Sequence, residues 1–351
     1  MSDKKWGTPQ LQQAVSALLK GELVAFPTET VYGLGADATN SEAVKKVFEA
    51  KGRPSDNPLI VHVASKEDVS LYAQGITSEA KKIMAAFWPG PLTLIFEIKP
   101  DAFNPVVTGG LSTAAFRMPD NHLTLSLIKK TGRPLVGPSA NISGKPSPTT
   151  AEHVLHDLRG KIAGVLDDGP TKVGVESTVL DMTTNPPMIL RPGAVTKEDL
   201  EQVIDKAAID CSLAGAEETP KSPGMKYKHY APEVPVYMID AKKQNWQEAV
   251  KWAEDSGLRA GLLGSKARLK PFIGKSLEIF YLSEESDVTE SMRQLFSGLR
   301  ALDEVTPKLD VIFVETYSDK GKGLAYMNRL KKAANQKYFQ SSEGNMIQSD
   351  Y

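Results

Sequence analysis

Val24-Ala25-Phe26-Pro27-Thr28-Glu29-Thr30-Val31-Tyr32-Gly33-Leu34-Gly35 is the stretch on which the reading of this chain turns. It opens as a short apolar run of the kind that forms a buried strand. It then changes to hydroxyls, a carboxylate and two glycines, which a hydrophobic core has no use for. A polar ligand is therefore expected where that strand ends. The stretch continues through Lys51-Gly52-Arg53-Pro54 and Asn57-Pro58 to Leu59-Ile60-Val61-His62-Val63. After a turn at Gly33-Leu34-Gly35, Thr39 and Glu42 have the spacing of a capping box, and Val44, Val47, Phe48 and Lys51 fall on one helical face. Lys51 and Arg53 are thus expected at a helix C-terminus. The macrodipole alone favours cations there and Gly52 suits a cap, so this pair by itself does not demand a ligand. Residues 59–63 alternate as a strand, with Leu59, Val61 and Val63 on one side and Ile60 and His62 on the other.

Working outward, Leu11, Val15, Leu18 and Leu19 recur at helical spacing ahead of Gly21 and predict a helix over 9–20. Downstream come a helix over 78–88 stopped by Pro89-Gly90-Pro91 and a strand over 92–96. A strand over 111–119 carries Thr113 and Arg117, and is followed by a helix over 120–130 and a strand over 134–137. The last of these runs into Pro138-Ser139-Ala140-Asn141-Ile142-Ser143-Gly144-Lys145-Pro146-Ser147-Pro148-Thr149-Thr150. A hydroxyl-rich loop between a strand end and a helix start suits an anion or a nucleotide, because free N–H groups and the helix dipole point at the ligand. Such loops are equally common as plain connections. Thr149 with Glu152 would cap the following helix. Residues 175–181 read as a strand with Glu176-Ser177-Thr178 in its interior, a local inconsistency that marks a polar cavity. Residues 188–190 lead to Arg191-Pro192-Gly193, and Thr196 starts a helix to about residue 204.

At 351 residues the chain exceeds one ordinary core, so two domains are expected, and 41% hydrophobic residues suffice to fill them. Lys+Arg 42 against Asp+Glu 43 gives a net charge of -1, which supports neither a polyanion-coating protein nor a membrane-surface protein. Cys211 is the single cysteine, which excludes a disulfide framework and a cysteine-based zinc cluster and points to a reducing compartment, the cytoplasm by default. The N-terminus lacks a signal-peptide core, and no apolar run of roughly 18 residues occurs. From 210 to 235 the composition shifts to Ser, Gly, Pro and Glu, as in a linker. Yet Lys226, Tyr227, Lys228, His229 and Tyr230 lie within it, which predicts a segment that folds back over a ligand. Beyond it, strands over 236–239, 259–263, 277–282 and 311–314 alternate with helices over 245–255, 287–302 and 324–332, the pattern of a small parallel sheet with helices on its faces. The expected division is 1–209, a linker or lid over 210–235, a second domain over 236–340 and a tail over 341–351.

Joined together, the motifs resemble the threonylcarbamoyl-AMP synthase family in its two-domain form. The matching stretches are Phe26 to Leu34, Lys51-Gly52-Arg53-Pro54, Asn57 to His62, Ser139-Ala140-Asn141, Gly174-Val175-Glu176-Ser177-Thr178, Leu190-Arg191-Pro192-Gly193 and the segment Pro223 to Pro232. The Lys-x-Arg and Ser-x-Asn pair is specific in this order and spacing. The resemblance implies an α/β protein: an α+β YrdC-like domain whose curled mixed sheet surrounds a cleft, then a smaller Rossmann-like α/β domain. It implies that L-threonine, bicarbonate or CO2, and ATP give threonylcarbamoyl-adenylate and pyrophosphate. Other proteins, tRNA threonylcarbamoyl transferases, then pass the group to the adenosine beside the anticodon. By position, Thr30, His62, Arg117 and Ser177 would hold threonine, with Arg117 a natural bidentate partner for its carboxylate. Lys51, Arg53, Asn57, Thr113, Ser139, Asn141, Ser147, Arg191 and Tyr230 would contact ATP, and Lys51, Arg53, Ser139 and Asn141 would carry the catalysis. Mg²⁺ is implied through phosphate oxygens and water, since no metal motif is present. A weak tRNA contact is allowed and no membrane is involved. A non-catalytic tRNA-binding module is the alternative, against which the near-zero net charge weighs. A carbamoyltransferase of the hydrogenase-maturation type shares such a domain, but its cysteine-rich zinc modules have no counterpart in a chain with one Cys.

Overall fold

The structure, a computed structural model, describes residues 4–210, 230–240 and 246–340. It divides into two compact units, one of Met1–Ser143 with Ser147–Tyr227, the other of Gly144–Pro146 with Lys228–Tyr351. The first unit runs β1 (Lys5–Trp6), α1 (Leu11–Leu19), β2 (Val24–Phe26), β3 (Gly33–Asp37), α2 (Ser41–Lys51), β4 (Ile60–His62), α3 (Lys66–Tyr72), α4 (Ser78–Phe87), β5 (Leu92–Glu97), α5 (Pro105–Thr108) and β6 (Thr113–Arg117). It continues with α6 (His122–Thr131), β7 (Leu135–Val136), α7 (Ala151–Leu158), β8 (Gly164–Leu166), β9 (Thr178–Asp181), β10 (Met188–Arg191), α8 (Lys197–Leu200) and β11 (Ala208–Ile209). All its strands join one 11-stranded mixed sheet in the order β1-β8-β2-β3-β7-β4-β6-β5-β9-β10-β11.

Because successive strand side chains point to opposite faces, each strand feeds two clusters. Leu34, Val61, Leu94, Phe116 and Leu180 join Val44, Val47 and Phe48 of α2 and Ile83 of α4 in the large core. The alternate residues Val24, Phe26 and Leu135 meet Leu11, Val15 and Leu18 of α1 and Leu127 of α6 in a second core. Ile60, Ile95, Ala115, Val179 and Leu190 form a third, small patch. Two residues along from Ile60, Ile95 and Ala115 on the same strand faces stand His62, Thr93 and Arg117. The sides expected for residues 59–63 are those seen, with Leu59, Val61 and Val63 in the large core and Ile60 in the small patch.

Several expectations are corrected. Gly33-Leu34-Gly35 is not a turn but the start of a strand, Gly33–Asp37, which pairs antiparallel with β2 in the register Phe26↔Gly33. The turn lies earlier, where the Thr28 hydroxyl gathers Thr30 N (3.1 Å) and Val31 N (3.2 Å). Asn40 caps α2 in place of Thr39, whose hydroxyl is drawn instead to Asp37 (2.7 Å). Thr150 caps α7 in place of Thr149. β9 begins only at Thr178, so Glu176 and Ser177 precede the strand rather than interrupt it. The helix after Thr196 is the short Lys197–Leu200, held by a true capping box with Asp199. Sequence periodicity also missed β1, α3, α5 and β11, which are too short to show a period.

The second unit runs β12 (Val236–Ile239), α9 (Trp246–Asp255), β13 (Ala260–Gly264), α10 (Lys266–Leu269), β14 (Glu278–Tyr281), α11 (Val288–Asp303), β15 (Val311–Glu315) and α12 (Lys322–Ala333). Its sheet has the order β12-β15-β13-β14, and every pairing is parallel, as the alternating pattern predicts. Ile239, Trp246, Val250, Leu262, Phe272 and Phe313 fill a core there. Cys211, Lys226, Tyr227, Lys228, His229 and the 341–351 tail lie outside the described residues. No helix among the described residues is long and apolar enough to cross a membrane.

Candidate active site

The turn between β2 and β3 and the end of β6 bring Thr30 and Arg117 together. Arg117 Nη1 donates to Thr30 Oγ1 at 2.8 Å, and Nη2 stands 2.7 Å from the Glu29 carboxylate, with both ionic side chains only 5% exposed. The Thr30 hydroxyl is 2.8 Å from Thr28 Oγ1, which donates to Val31 O at 2.6 Å. That order of donors fixes each hydroxyl and leaves Thr30 Oγ1 as the acceptor for the guanidinium. Thr93 is the cross-strand partner of Arg117, and its hydroxyl is 2.7 Å from Ser177 Oγ. Arg191 then donates through Nε to Ser177 O at 3.0 Å and through Nη2 to Ser177 Oγ at 3.1 Å. Gly193 permits this approach, since a Cβ there would lie 2.3 Å from Thr178 N. Two buried hydrogen-bonded sets, Thr28–Thr30–Arg117 and Thr93–Ser177–Arg191, thus adjoin where Thr93 and Arg117 pair across β5 and β6, a concentration of polar groups that a core would not retain without use.

His62 completes the group. It pairs in register with Arg117, its ring meets Phe26 edge-on at 5.3 Å, and Gly137 makes room for it: a Cβ there would sit 2.7 Å from the imidazole. Burial, with the Arg117 charge adding to it, lowers the His62 pKa from 6.5 to about 3. The imidazole is therefore neutral at physiological pH and can pair with an uncharged hydroxyl. A depressed folded-state value means that stability is complete above about pH 6.5 and falls as the unfolded chain gains a proton that the folded chain refuses until about pH 3. Chemical denaturation of the wild type between pH 6.5 and 4 should show this one-proton loss, up to about 1.4 kcal/mol per pH unit. His62→Asn should flatten the slope by that amount, and identical slopes would contradict the assignment.

A second set gathers at the C-terminus of α2, where Gly52 takes the left-handed conformation (φ 61°) that ends the helix. Lys51, 3% exposed, turns its ammonium onto the backbone carbonyls of Ser139 and Asn141, the latter at 2.7 Å. Ser143 N donates back to Lys51 O at 2.8 Å. The Lys-x-Arg and Ser-x-Asn motifs are therefore physically tied. Arg53 Nη2 reaches Asn57 O (3.3 Å) and Pro58 O (3.2 Å), which folds the intervening loop. Asn57 is 1% exposed, and its side-chain amide has no hydrogen-bond partner among the described residues. Ser147 donates to Glu176. Thr113 starts β6 on the face that also carries Arg117. Tyr230 belongs to the second unit, at φ 65°, with its ring 5.2 Å from Phe296 and 5.9 Å from the Arg329 guanidinium.

Sequence reading missed Thr93 and Thr28 as parts of this network. Thr93 carried a usable signal, as a lone hydroxyl in an apolar strand on the face opposite Leu92 and Leu94. Among the described residues no group of three or more His, Cys, Asp or Glu could hold a metal ion.

A family model described as "Telomere recombination" matches residues 16–193, and one described as "Threonylcarbamoyl-AMP synthase, C-terminal domain" matches residues 195–335. The threonylcarbamoyl-AMP synthase of Bacillus subtilis is 48% identical over 93% of this chain and 93% of its own length. That of Pyrococcus abyssi is 46% identical over 93% of this chain and 94% of its own. The crystal structure of P. abyssi Sua5 complexed with L-threonine superposes with a TM-score of 0.89 at 43% identity, covering 96% of this chain and 99% of that one. Matched along nearly its whole length in sequence and in fold, the chain belongs to the threonylcarbamoyl-AMP synthase family.

Proposed function

We propose that this protein makes L-threonylcarbamoyl-adenylate from L-threonine, bicarbonate or CO2, and ATP, releasing pyrophosphate. The observation that supports this most is the buried Thr30–Arg117 bond with the Thr93–Ser177 pair on the neighbouring strand and a neutral His62, which offers a guanidinium to a carboxylate and uncharged groups to a hydroxyl. In this reading Arg117 holds the threonine carboxylate, while Thr30, His62 and Ser177 read its hydroxyl. Lys51, Arg53, Asn57, Thr113, Ser139, Asn141, Ser147, Arg191 and Tyr230 are the residues assigned to Mg²⁺-bound ATP. The carbamate oxygen attacks the α-phosphorus. The bond to the bridging oxygen breaks, and its electron pair leaves with pyrophosphate. Such a step asks for positioning and charge neutralisation rather than a covalent nucleophile. The product would supply a transferase that modifies the adenosine beside the anticodon of tRNA, and the lone Cys211 fits a reducing cytoplasm.

Mass spectrometry after mixing the protein with ATP, bicarbonate and an amino acid tests the reading directly. Threonylcarbamoyl-adenylate is the expected product. A site that pairs a buried hydroxyl rejects an analogue lacking it by about 10⁴-fold, far more than a lost methyl explains. Valine and 2-aminobutyrate should therefore both fail at concentrations that saturate with threonine, and equal pyrophosphate release with valine would sink the assignment.

A further inference from the structure

We propose that Glu29 receives the α-ammonium of the amino acid and takes the proton which that nitrogen must lose to become a carbamate. The inference deepens the proposed function and rests on it. Glu29 is 5% exposed, yet neither carboxylate oxygen accepts a hydrogen bond among the described residues. Its polar contact there is the 2.7 Å approach of Arg117 Nη2, an atom that itself makes no hydrogen bond, so the two groups attract without satisfying each other's directional capacity. A buried carboxylate in this condition costs free energy unless another donor completes it. Its backbone cannot withdraw: Glu29 O accepts from Val173 N at 2.7 Å and Thr30 O from Gly174 N at 3.1 Å.

Glu29 is also one of the residues that line a cavity of about 390 Å³, with Thr28, Asn121, His122, Thr171 and Lys172 among the others. Glu29 is thus shared between the wall of this cavity and the buried ion pair with Arg117. An α-amino acid carries a carboxylate and an ammonium one carbon apart, and a buried Arg–Glu pair presents the complementary charges side by side. Laid against that pair, the zwitterion would complete Arg117 with its carboxylate and Glu29 with its ammonium. The proton step then balances. One N–H bond breaks, its electron pair stays on nitrogen, and the proton passes to the Glu29 carboxylate. The freed lone pair forms the N–C bond to CO2, a C=O electron pair moves onto oxygen, and the second proton leaves nitrogen for solvent. One ammonium and one CO2 give one carbamate and two protons.

The test compares L-threonine with 2,3-dihydroxybutyrate of matching configuration, in which a hydroxyl replaces the ammonium, by calorimetric binding to the full-length protein. Glu29→Gln should weaken threonine on the order of 100-fold and the deaminated acid by less than about 3-fold, the pattern of a close charge pair. It should also reduce kcat by about 100-fold or more at saturating threonine. Equal weakening of both ligands would show that Glu29 serves only to hold Arg117, and unaltered binding and turnover would remove it from the reaction. If the Gln variant does not fold, Glu29→Asp keeps the charge but retracts it by one methylene. A threonine-specific loss of about 10-fold is then expected, and an unchanged ligand ratio overturns the inference. A wild type that forms no adenylate would count against the proposed function. A wild type that forms it, beside variants with an unchanged ratio, would count against Glu29 alone.

Discussion

Arg117→Ala should lose both activity and stability, with turnover down by about 1000-fold or more and unfolding free energy down by about 3–5 kcal/mol. The guanidinium and Glu29 are each 5% exposed and 2.7 Å apart, so truncation leaves a buried carboxylate facing no cation. It also removes the donor to Thr30 Oγ1 at 2.8 Å. Arg117→Lys separates the two consequences. A lysine keeps the charge for Glu29 and should restore most of the stability. It has no planar fork, so it cannot serve Thr30, Glu29 and a substrate carboxylate at once. Turnover should stay depressed by about 100-fold, with the threonine KM raised. Denaturant midpoints and steady-state pyrophosphate release read the two effects. A lysine variant with the wild-type KM for threonine would mean that Arg117 is only the partner of Glu29. Replacing Glu29 and Arg117 together with methionine should cost less stability than Arg117→Ala alone, because no uncompensated charge is left behind.

How much of this was legible in the sequence depends on whether the signal was periodic or relational. The parallel sheet of the second unit could be read because its strands are short apolar runs and its longer helices α9, α11 and α12 carry apolar residues at helical spacing, whereas the one-turn α10 gave no such signal. So could the sides of residues 59–63, since period two assigns Val61 and His62 to opposite faces without any knowledge of the neighbours. Caps were displaced by one residue at Thr39 and Thr149, because the spacing rule cannot see that Asp37 competes for the Thr39 hydroxyl. Gly33–Asp37 was misread because glycine signals a turn, whereas here a Cβ at Gly33 or Gly35 would strike the Phe26 ring within 3 Å across the β2–β3 pair. The Arg117–Glu29 pair was not legible at all: it joins the turn between β2 and β3 to the end of β6, positions far apart in the chain that no periodic signal relates.

The same distinction separates Lys51 from Arg53, two cations that flank Gly52 in sequence and that composition cannot tell apart. Lys51 is 3% exposed, and its ammonium spans the carbonyls of Ser139 and Asn141. Lys51→Met preserves length and apolar bulk but withdraws the donor. Each buried carbonyl left unpaired costs about 1–3 kcal/mol, so a loss of about 2–4 kcal/mol is expected together with a fall in turnover of about 1000-fold. Lys51→Arg should recover little activity, because a flat fork cannot converge on two carbonyls that a compact ammonium bridges. Arg53 is half-buried, and its longer contacts to Asn57 O (3.3 Å) and Pro58 O (3.2 Å) only brace a loop. Arg53→Ala should then cost less than about 1 kcal/mol while lowering turnover by about 100-fold or more through weaker neutralisation of phosphate charge. Melting curves and ATP titrations of the three variants decide the matter. If Lys51→Met binds ATP normally, the lysine shapes the Ser139–Asn141 loop without touching phosphate. If Arg53→Ala loses stability but keeps its specific activity, the arginine is structural and the nucleotide is held elsewhere.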